Sequence, residues 1–174
     1  MDEQMISKAV EEVLRRMNSE RKIPAHQCRC KKHKMTLALA KSLIQKVEQK
    51  AEEIGLPVVI AVSDHAGRIT AVHCMDGAYI ASYDIAVNKT FTSAGLKMST
   101  AELANLSQPG QPLYGIQHTN EGKIVIFGGG EPLEIDGKII GAIGVSGGTA
   151  EQDTMLAALS LIHISEPTRP ISIS

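Results

Sequence analysis

Apolar and polar positions in the first twenty residues repeat with a helical period. Apolar side chains recur at three- and four-residue steps between Met5 and Met17, and charged or polar residues fill the opposite face. Residues 1–20 are therefore predicted to form an amphipathic helix. Residues 21–34 are polar and interrupted by Pro24, which predicts a linker between this helix and the rest of the chain.

The pattern over residues 35–158 predicts an α+β domain. Thr36 is placed to cap a helix that ends at Gly55, and two apolar segments around the turn Asp64–Gly67 are typical of a β-hairpin. Two helical stretches, three strand-like segments and a last helix follow. The order α-β-β-α-α-β-β-β-α predicts a five-stranded antiparallel sheet with helices packed on it.

Three further predictions concern the third strand, the cap of the last helix and the buried face of the helix after the hairpin. Residues 123–127, KIVIF, are predicted to form the third strand, and Thr149 with Gln152 forms a capping box for the last helix. In the helix after the hairpin, the positions predicted to be buried are Ile80, Ile85, Ala86, Phe91 and Ala94.

Composition and charge exclude several classes of protein. No apolar run in the 174 residues approaches the ~20 residues that a membrane span needs, and a net charge of -1 provides no basic surface for nucleic acid. The first seventeen residues carry charges throughout, unlike a secretory signal. Three cysteines cannot all pair within one chain, so a reducing cytoplasm is expected.

The segment Gly144–Gly148 reads GVSGG and matches the nucleophile elbow of hydrolases. That mechanism needs an acid and a histidine later in the chain, and the only later histidine is His163. A hydrolase is therefore disfavoured. The alternative is a tight strand-to-helix turn, whose N–H groups at Gly147, Gly148 and Thr149 are placed to hold a ligand carboxylate.

A cluster of metal-ligating residue types lies in the predicted linker. Cys28, Cys30 and His33 offer thiolates and an imidazole, which are good ligands for zinc or iron. Their C-x-C spacing is tighter than that of most structural zinc sites, so an unliganded linker is the favoured alternative. Outside the linker, His118 lies in a loop, where a ligand-facing position is expected.

A series of short motifs runs through residues 35–158 in a fixed order. The motif residues are Asp64 and Gly67; Met75, Asp76 and Ala78; Ile85, Ala86 and Lys89; Gly129, Gly130 and Pro132; Asp136 and Gly137; the GVSGG segment; and Gln152 with Asp153. In this order they resemble the GlcG/HbpS family, which includes the C-terminal domain of PduO. The resemblance implies a profilin-like sandwich of helices and sheet, assembly as a homo-oligomer, and haem binding, which several members show.

The ligand implied by the resemblance is haem or a related tetrapyrrole, with a corrinoid less favoured. No family motif present here fixes the axial ligand; His118 is chosen because it lies away from the hairpin tip and the linker. Small side chains are expected to leave room for a flat ring, and Lys89 to hold one of its carboxylates. The residues expected to line the site are His118, Lys89, Gly129, Gly130, Ser146, Gly147 and Gly148.

Residues 1–20 also resemble the encapsulation peptides of bacterial microcompartment cargo. This implies docking to a microcompartment shell or cargo protein, with packing on the chain's own core as the alternative. The function that follows is a haem-binding accessory protein in the lumen of a microcompartment for diol or aldehyde metabolism. Two alternatives stay open: an enzyme acting on a small hydroxy-acid or carbonyl metabolite, and a structural oligomer that organises cargo.

The end of the chain departs from the pattern of the domain. Residues Leu159–Arg169 are similar to the in-frame translation of a transposase sequencing adaptor. Residues 159–174 are therefore predicted to be a non-native tail, His163 is given no role, and the native final helix is expected to be lost.

Overall fold

The computed structural model describes residues 34–164, with side chains as far as residue 161, and these residues belong to one compact unit. The described range contains helices α1 (Leu37–Glu53), α2 (Ser82–Leu96), α3 (Thr100–Leu106) and α4 (Ala150–Ile164), and strands β1 (Val59–Asp64), β2 (Ile69–Cys74), β3 (Gly130–Ile135) and β4 (Lys138–Ser146). No helix in this range is long and apolar enough to cross a membrane. The predicted N-terminal helix and the candidate metal ligands Cys28, Cys30 and His33 lie outside it.

The four strands form one antiparallel sheet in the order β2-β1-β4-β3. Successive side chains of a strand point to opposite faces, so β1 contributes to two cores. Val58, Ile60 and Val62 pack on the face that α1 and α4 cover. Val59 and Ala61 pack against Ala86 of α2 on the other face. The sheet is therefore buried on both sides.

The predicted α+β class is confirmed, but the predicted fifth strand is wrong. Residues 123–127 have an apolar sequence, and Ile124 and Val125 are buried, yet they form no strand. One backbone group of this segment bonds to a helix side chain instead, because the Val125 N–H donates to Thr92 Oγ1 at 3.0 Å. The Thr92 hydroxyl donates to the Asn88 carbonyl of its own helix at 2.8 Å, and the Lys123 carbonyl oxygen lies farther away, at 3.3 Å. Thr92 of α2 thus accepts a hydrogen bond that a neighbouring strand would otherwise accept.

Local signals at the element boundaries are confirmed. Thr36 Oγ1 accepts the Leu39 N–H at 3.2 Å at the start of α1. In the β1–β2 turn, Asp64 Oδ1 accepts the N–H groups of Ala66 and Arg68 at 2.9 and 3.0 Å. These groups are neighbours in sequence, so their geometry depends little on the rest of the fold.

Helix α2 buries a different set of residues from the predicted one. Ala86 and Ala94 are buried as predicted, but Ile80 precedes the helix and is 97% exposed. The buried face of α2 is small and polar: Ser82, Ala86, Lys89, Thr90, Thr92, Ser93 and Ala94. Small side chains allow close approach to the sheet, and a Cβ added to Gly144 of β4 would clash with the Ala86 carbonyl oxygen.

Helix α4 continues through the point at which the sequence pattern was expected to fail. It extends to Ile164, Leu159 packs against the core, and the buried Ser160 hydroxyl donates to the Ala157 carbonyl at 2.6 Å. Residues after Ala158 are therefore helical as far as residue 164, and the expected loss of the native final helix stays a prediction. The non-native origin of residues 159–174 stays a prediction.

Two glycine substitutions test the close packing of α2 on β4. Gly144→Ala should lower the free energy of unfolding by at least about 2 kcal/mol, because the added methyl group meets rigid backbone. Gly95→Ala, in α2 but with open space around it, should raise the free energy by roughly 0.5–1 kcal/mol. Urea denaturation measures both, and a tolerated Gly144→Ala would contradict the packing described here.

Candidate functional site

The turn between β4 and α4 is organised around one buried lysine. Lys89 lies in the middle of α2, and its side chain is 0% exposed. Its Nζ donates to the Val145 carbonyl at 2.7 Å and to Asp153 Oδ2 at 2.8 Å. Asp153 is itself buried in the first turn of α4. The Lys89 ammonium therefore links α2, on one face of the sheet, to the end of β4 and to the first turn of α4.

The second oxygen of Asp153 closes the turn. Asp153 Oδ1 accepts the Gly148 N–H at 2.9 Å, and the predicted capping box is present, with the Thr149 N–H donating to Gln152 Oε1 at 2.9 Å. Gly148 and Thr149 were expected to offer free N–H groups to a ligand carboxylate. In the structure both donate to the chain's own side chains.

Burial and charge act in opposite directions on Lys89. Desolvation lowers the pKa of its ammonium, and the hydrogen bond and the negative charge of Asp153 partly offset that effect. The Phe127 ring adds a cation–π contact, with its centroid 5.0 Å from Nζ. Lys89 has two oxygen partners and an aromatic partner, which give it a structural role; its expected contact with a ligand stays a prediction.

The glycines before β3 also pack against this cluster. A Cβ added to Gly129 would lie 2.6 Å from Lys89 Nζ, and one added to Gly130 would lie 2.7 Å from Thr100 Cγ2. The Gly130 N–H donates to Thr100 Oγ1 at 2.9 Å. The space that side chains would occupy at Gly129 and Gly130 is therefore already filled by protein atoms.

Ser146 is the last residue of β4, and its side chain is buried. No hydrogen bond joins it to a histidine among the described side chains, and the His163 side chain is not among them. Nothing in the described range thus restores the hydrolase interpretation of the GVSGG segment, and its glycines form the tight turn of the alternative interpretation.

His118 lies apart from this cluster, in the long connection between α3 and β3. It ends a short 3₁₀ turn, Ile116–His118, and its imidazole is exposed. Among the described side chains its ring contacts Gln117, with 3.4 Å between the two Nε2 atoms. No group of three or more metal-ligating side chains occurs within the described range. His118 is therefore accessible to an external ligand.

The structure also brings together two carboxylates that are far apart in the sequence. Burial raises the pKa of the Glu131 carboxyl at the start of β3, and the charge of Glu102 in α3 raises it further. This pair was not predicted, because no local pattern relates residues on different elements. Asp153 was missed as a partner for the same reason, although a lysine on a buried helix face requires a counter-charge.

Comparisons with known proteins agree on one family. The family model described as "Haem degrading protein HbpS-like" matches residues 35–161. An uncharacterized 15.0 kDa protein from the dhaT-dhaS intergenic region of Citrobacter freundii is 51% identical over 132 residues, which are 76% of this chain and 93% of that protein.

Two further relatives involve a corrinoid enzyme and a haem complex. The corrinoid adenosyltransferase PduO of Salmonella typhimurium is 38% identical over 120 residues, so the match spans 69% of this chain and only 36% of that enzyme. The crystal structure of a PduOC:heme complex has a TM-score of 0.72 and 34% identity, and the match covers 74% of this chain and 94% of that one.

Removing Lys89 tests the structural role of the ion pair. Lys89→Met should lower the free energy of unfolding by about 3–5 kcal/mol, because it leaves the Asp153 carboxylate buried without its partner. Adding Asp153→Leu should recover most of this loss, since no buried charge then remains. Thermal denaturation of the two single variants and the double variant, with the exposed Lys41→Met as control, measures the coupling. Strictly additive losses would contradict it.

Proposed function

The chain belongs to the HbpS-like family, and we propose that it binds haem or a closely related tetrapyrrole as an accessory protein. The observation that carries the proposal is the likeness to the PduOC:heme complex, a protein of similar fold that is 34% identical. The match to PduO spans 36% of that enzyme, so its adenosyltransferase activity is not carried over and a corrinoid remains the less favoured ligand.

Because the glycines of the expected site are closely packed, we place the ligand on the surface. Gly129, Gly130 and Gly144 lie against α2, α3 or the start of α4, and Gly147 and Gly148 lie against residues 56–58 or Gln152. The connection between α3 and β3 offers what the interior lacks: an exposed imidazole at His118 and an aromatic ring at Tyr114 that is 65% exposed. Connections of this length usually have a function of their own.

Within this connection each group has a proposed task. His118 is the axial donor, because an imidazole is a common iron ligand and this one is accessible. Tyr114 covers part of the apolar face of the ring. Lys123 is the cation proposed to hold a propionate, because it is exposed and can exchange its surface pair with Glu121, at 2.6 Å, for the ligand, whereas the Lys89 pair is buried. When bound, the haem would supply an iron centre, and the protein would hold and orient it.

We also propose that the protein works as a homo-oligomer attached to a bacterial microcompartment through residues 1–20. The support is the amphipathic pattern of that segment and its resemblance to encapsulation peptides. In this arrangement residues 35–161 hold the ligand and the N-terminal segment determines the location.

Replacing His118 tests the ligand site. His118→Ala should shift the Soret band of the haemin complex and weaken haemin binding by roughly tenfold or more, because the iron loses its protein donor. His65→Ala removes another exposed histidine, at the tip of the β1–β2 turn. It should change neither the Soret band nor the affinity for haemin. An identical spectrum for His118→Ala would exclude His118, and no Soret change with wild-type protein would exclude haem.

Shortening the chain tests the location signal. A chain that starts at Lys34 should keep its melting temperature within about 3 °C, because a separable helix contributes little to the stability of the domain. It should no longer co-sediment with microcompartment shells. In the full chain, Val10→Glu with Leu14→Glu should have the same effect on sedimentation, and Glu12→Lys on the polar face should not. Unfolding of the shortened chain would assign the helix to the domain core.

A further inference from the structure

The two edge strands of the sheet differ in how well their outer backbone groups are protected. The sheet order makes β2 and β3 the edges within the described range. An edge strand presents N–H and C=O groups that can pair with another chain, and proteins normally block them with proline, charge or a covering element. The β3 and β2 edges differ in these devices.

The β3 edge is blocked. The Val145 N–H donates to the Gly129 carbonyl, and the alternation of an antiparallel ladder then turns the backbone groups of Gly130 and Pro132 outward. The Gly130 N–H is taken by Thr100 Oγ1 at 2.9 Å, and Pro132 has no N–H. Glu134 adds an exposed charge to the same strand. A further strand cannot pair along this edge.

The β2 edge has none of these devices. The Met75 N–H donates to the Val58 carbonyl, so the same alternation turns Ala71 and His73 toward β1 and the backbone groups of Val72 and Cys74 outward. Strand β2 has the sequence ITAVHC, without proline and without Lys, Arg, Asp or Glu. In the described range no hydrogen bond is made by the outward N–H groups of Val72 and Cys74.

A second copy of this chain fits this edge. Two identical strands related by a two-fold axis pair antiparallel, so each outward donor meets an outward acceptor of the partner. Strand β2 carries no Lys, Arg, Asp or Glu, and its histidine, His73, has a partner in its own chain, with Nδ1 2.7 Å from Glu48 Oε1 of α1, so like strands meet without strong charge repulsion. Apolar side chains also lie at both ends of the strand: Ile69 is 42% exposed at its start, and Tyr79 and Ile80 are 72% and 97% exposed after its end.

We propose that β2 is an interface between two copies of this chain, paired antiparallel about a two-fold axis at His73. In this register Val72 of one copy lies opposite Cys74 of the other, and both outward residues of each strand are paired. The start of one strand lies beside the end of its partner, which brings the exposed Ile69 near the segment with Tyr79 and Ile80. The proposal names the contact surface of the homo-oligomer proposed above and is independent of haem.

A disulfide across the interface tests both the pairing and its register. Opposed residues in a hydrogen-bonded antiparallel pair have Cα atoms about 5.5 Å apart, a separation that suits a disulfide. In a full-length background with Cys28→Ser and Cys30→Ser, Val72→Cys should give a covalent dimer under mild oxidation, with Cys74 joined to the new cysteine in peptide mapping. Glu134→Cys on the blocked β3 edge, in a background that also carries Cys74→Ser, should not.

A charge substitution provides a second measurement that needs no cross-link. Cys74→Lys places a charge on an exposed position of the interface and should raise the dimer dissociation constant at least about tenfold, measured by analytical ultracentrifugation. Glu134→Lys on β3 should not change it. If Cys74→Lys leaves the dissociation constant unchanged and Val72→Cys forms no covalent dimer, the β2 interface is wrong but the homo-oligomer still stands. A wild-type monomer would overturn the homo-oligomer as well, and haemin titration of either preparation reports separately on the ligand.

Discussion

The buried ion pair of Lys89 and Asp153 is the interaction on which the rest of this domain depends. Lys89 reaches from α2 past the end of β4, and its ammonium joins a strand carbonyl to a carboxylate in the first turn of α4. Asp153 in turn fixes the Gly148 N–H of the intervening turn. A charged pair without solvent contact is costly unless every partner is in place, so its geometry specifies how the two faces of the sheet are joined.

Close packing around this pair determines where a ligand can bind. Helix α2 presents small and polar side chains to the sheet, and glycines of β4 and of the segment before β3 bring backbone against backbone. At these glycines the described residues therefore leave no space for an added side-chain atom. This packing favours a ligand held at the surface, at an interface, or by the connections between elements. The exposed histidine and tyrosine of the α3–β3 connection, and the open β2 edge, are the features that remain for such roles.

Most residues that stabilise the core differ from those proposed to bind the ligand and to form the interface. The ion pair and the glycine contacts stabilise the core. The proposed ligand donor and Cys74 of the proposed interface lie outside it, whereas Val72 of the interface also packs against the second hydrophobic cluster. His118 and Cys74 are exposed, and neither belongs to the two hydrophobic clusters. Ligand binding and assembly can therefore vary among related chains without loss of the fold, in line with relatives as different as a 15.0 kDa protein and a domain of a longer enzyme.

Local chemistry explains what could be predicted from the sequence by itself. The Thr36 cap, the Asp64 turn and the Thr149–Gln152 box each involve residues within four positions of one another, and each is present. The ordered motifs also identified the family. The tertiary structure alone decided that Thr92 would accept a hydrogen bond from residues 123–127, that Ile80 would be exposed, and that Lys89 would pair with Asp153, 64 positions away. These outcomes depend on which elements become neighbours, and a buried polar group takes whichever partner the packing brings within hydrogen-bond distance.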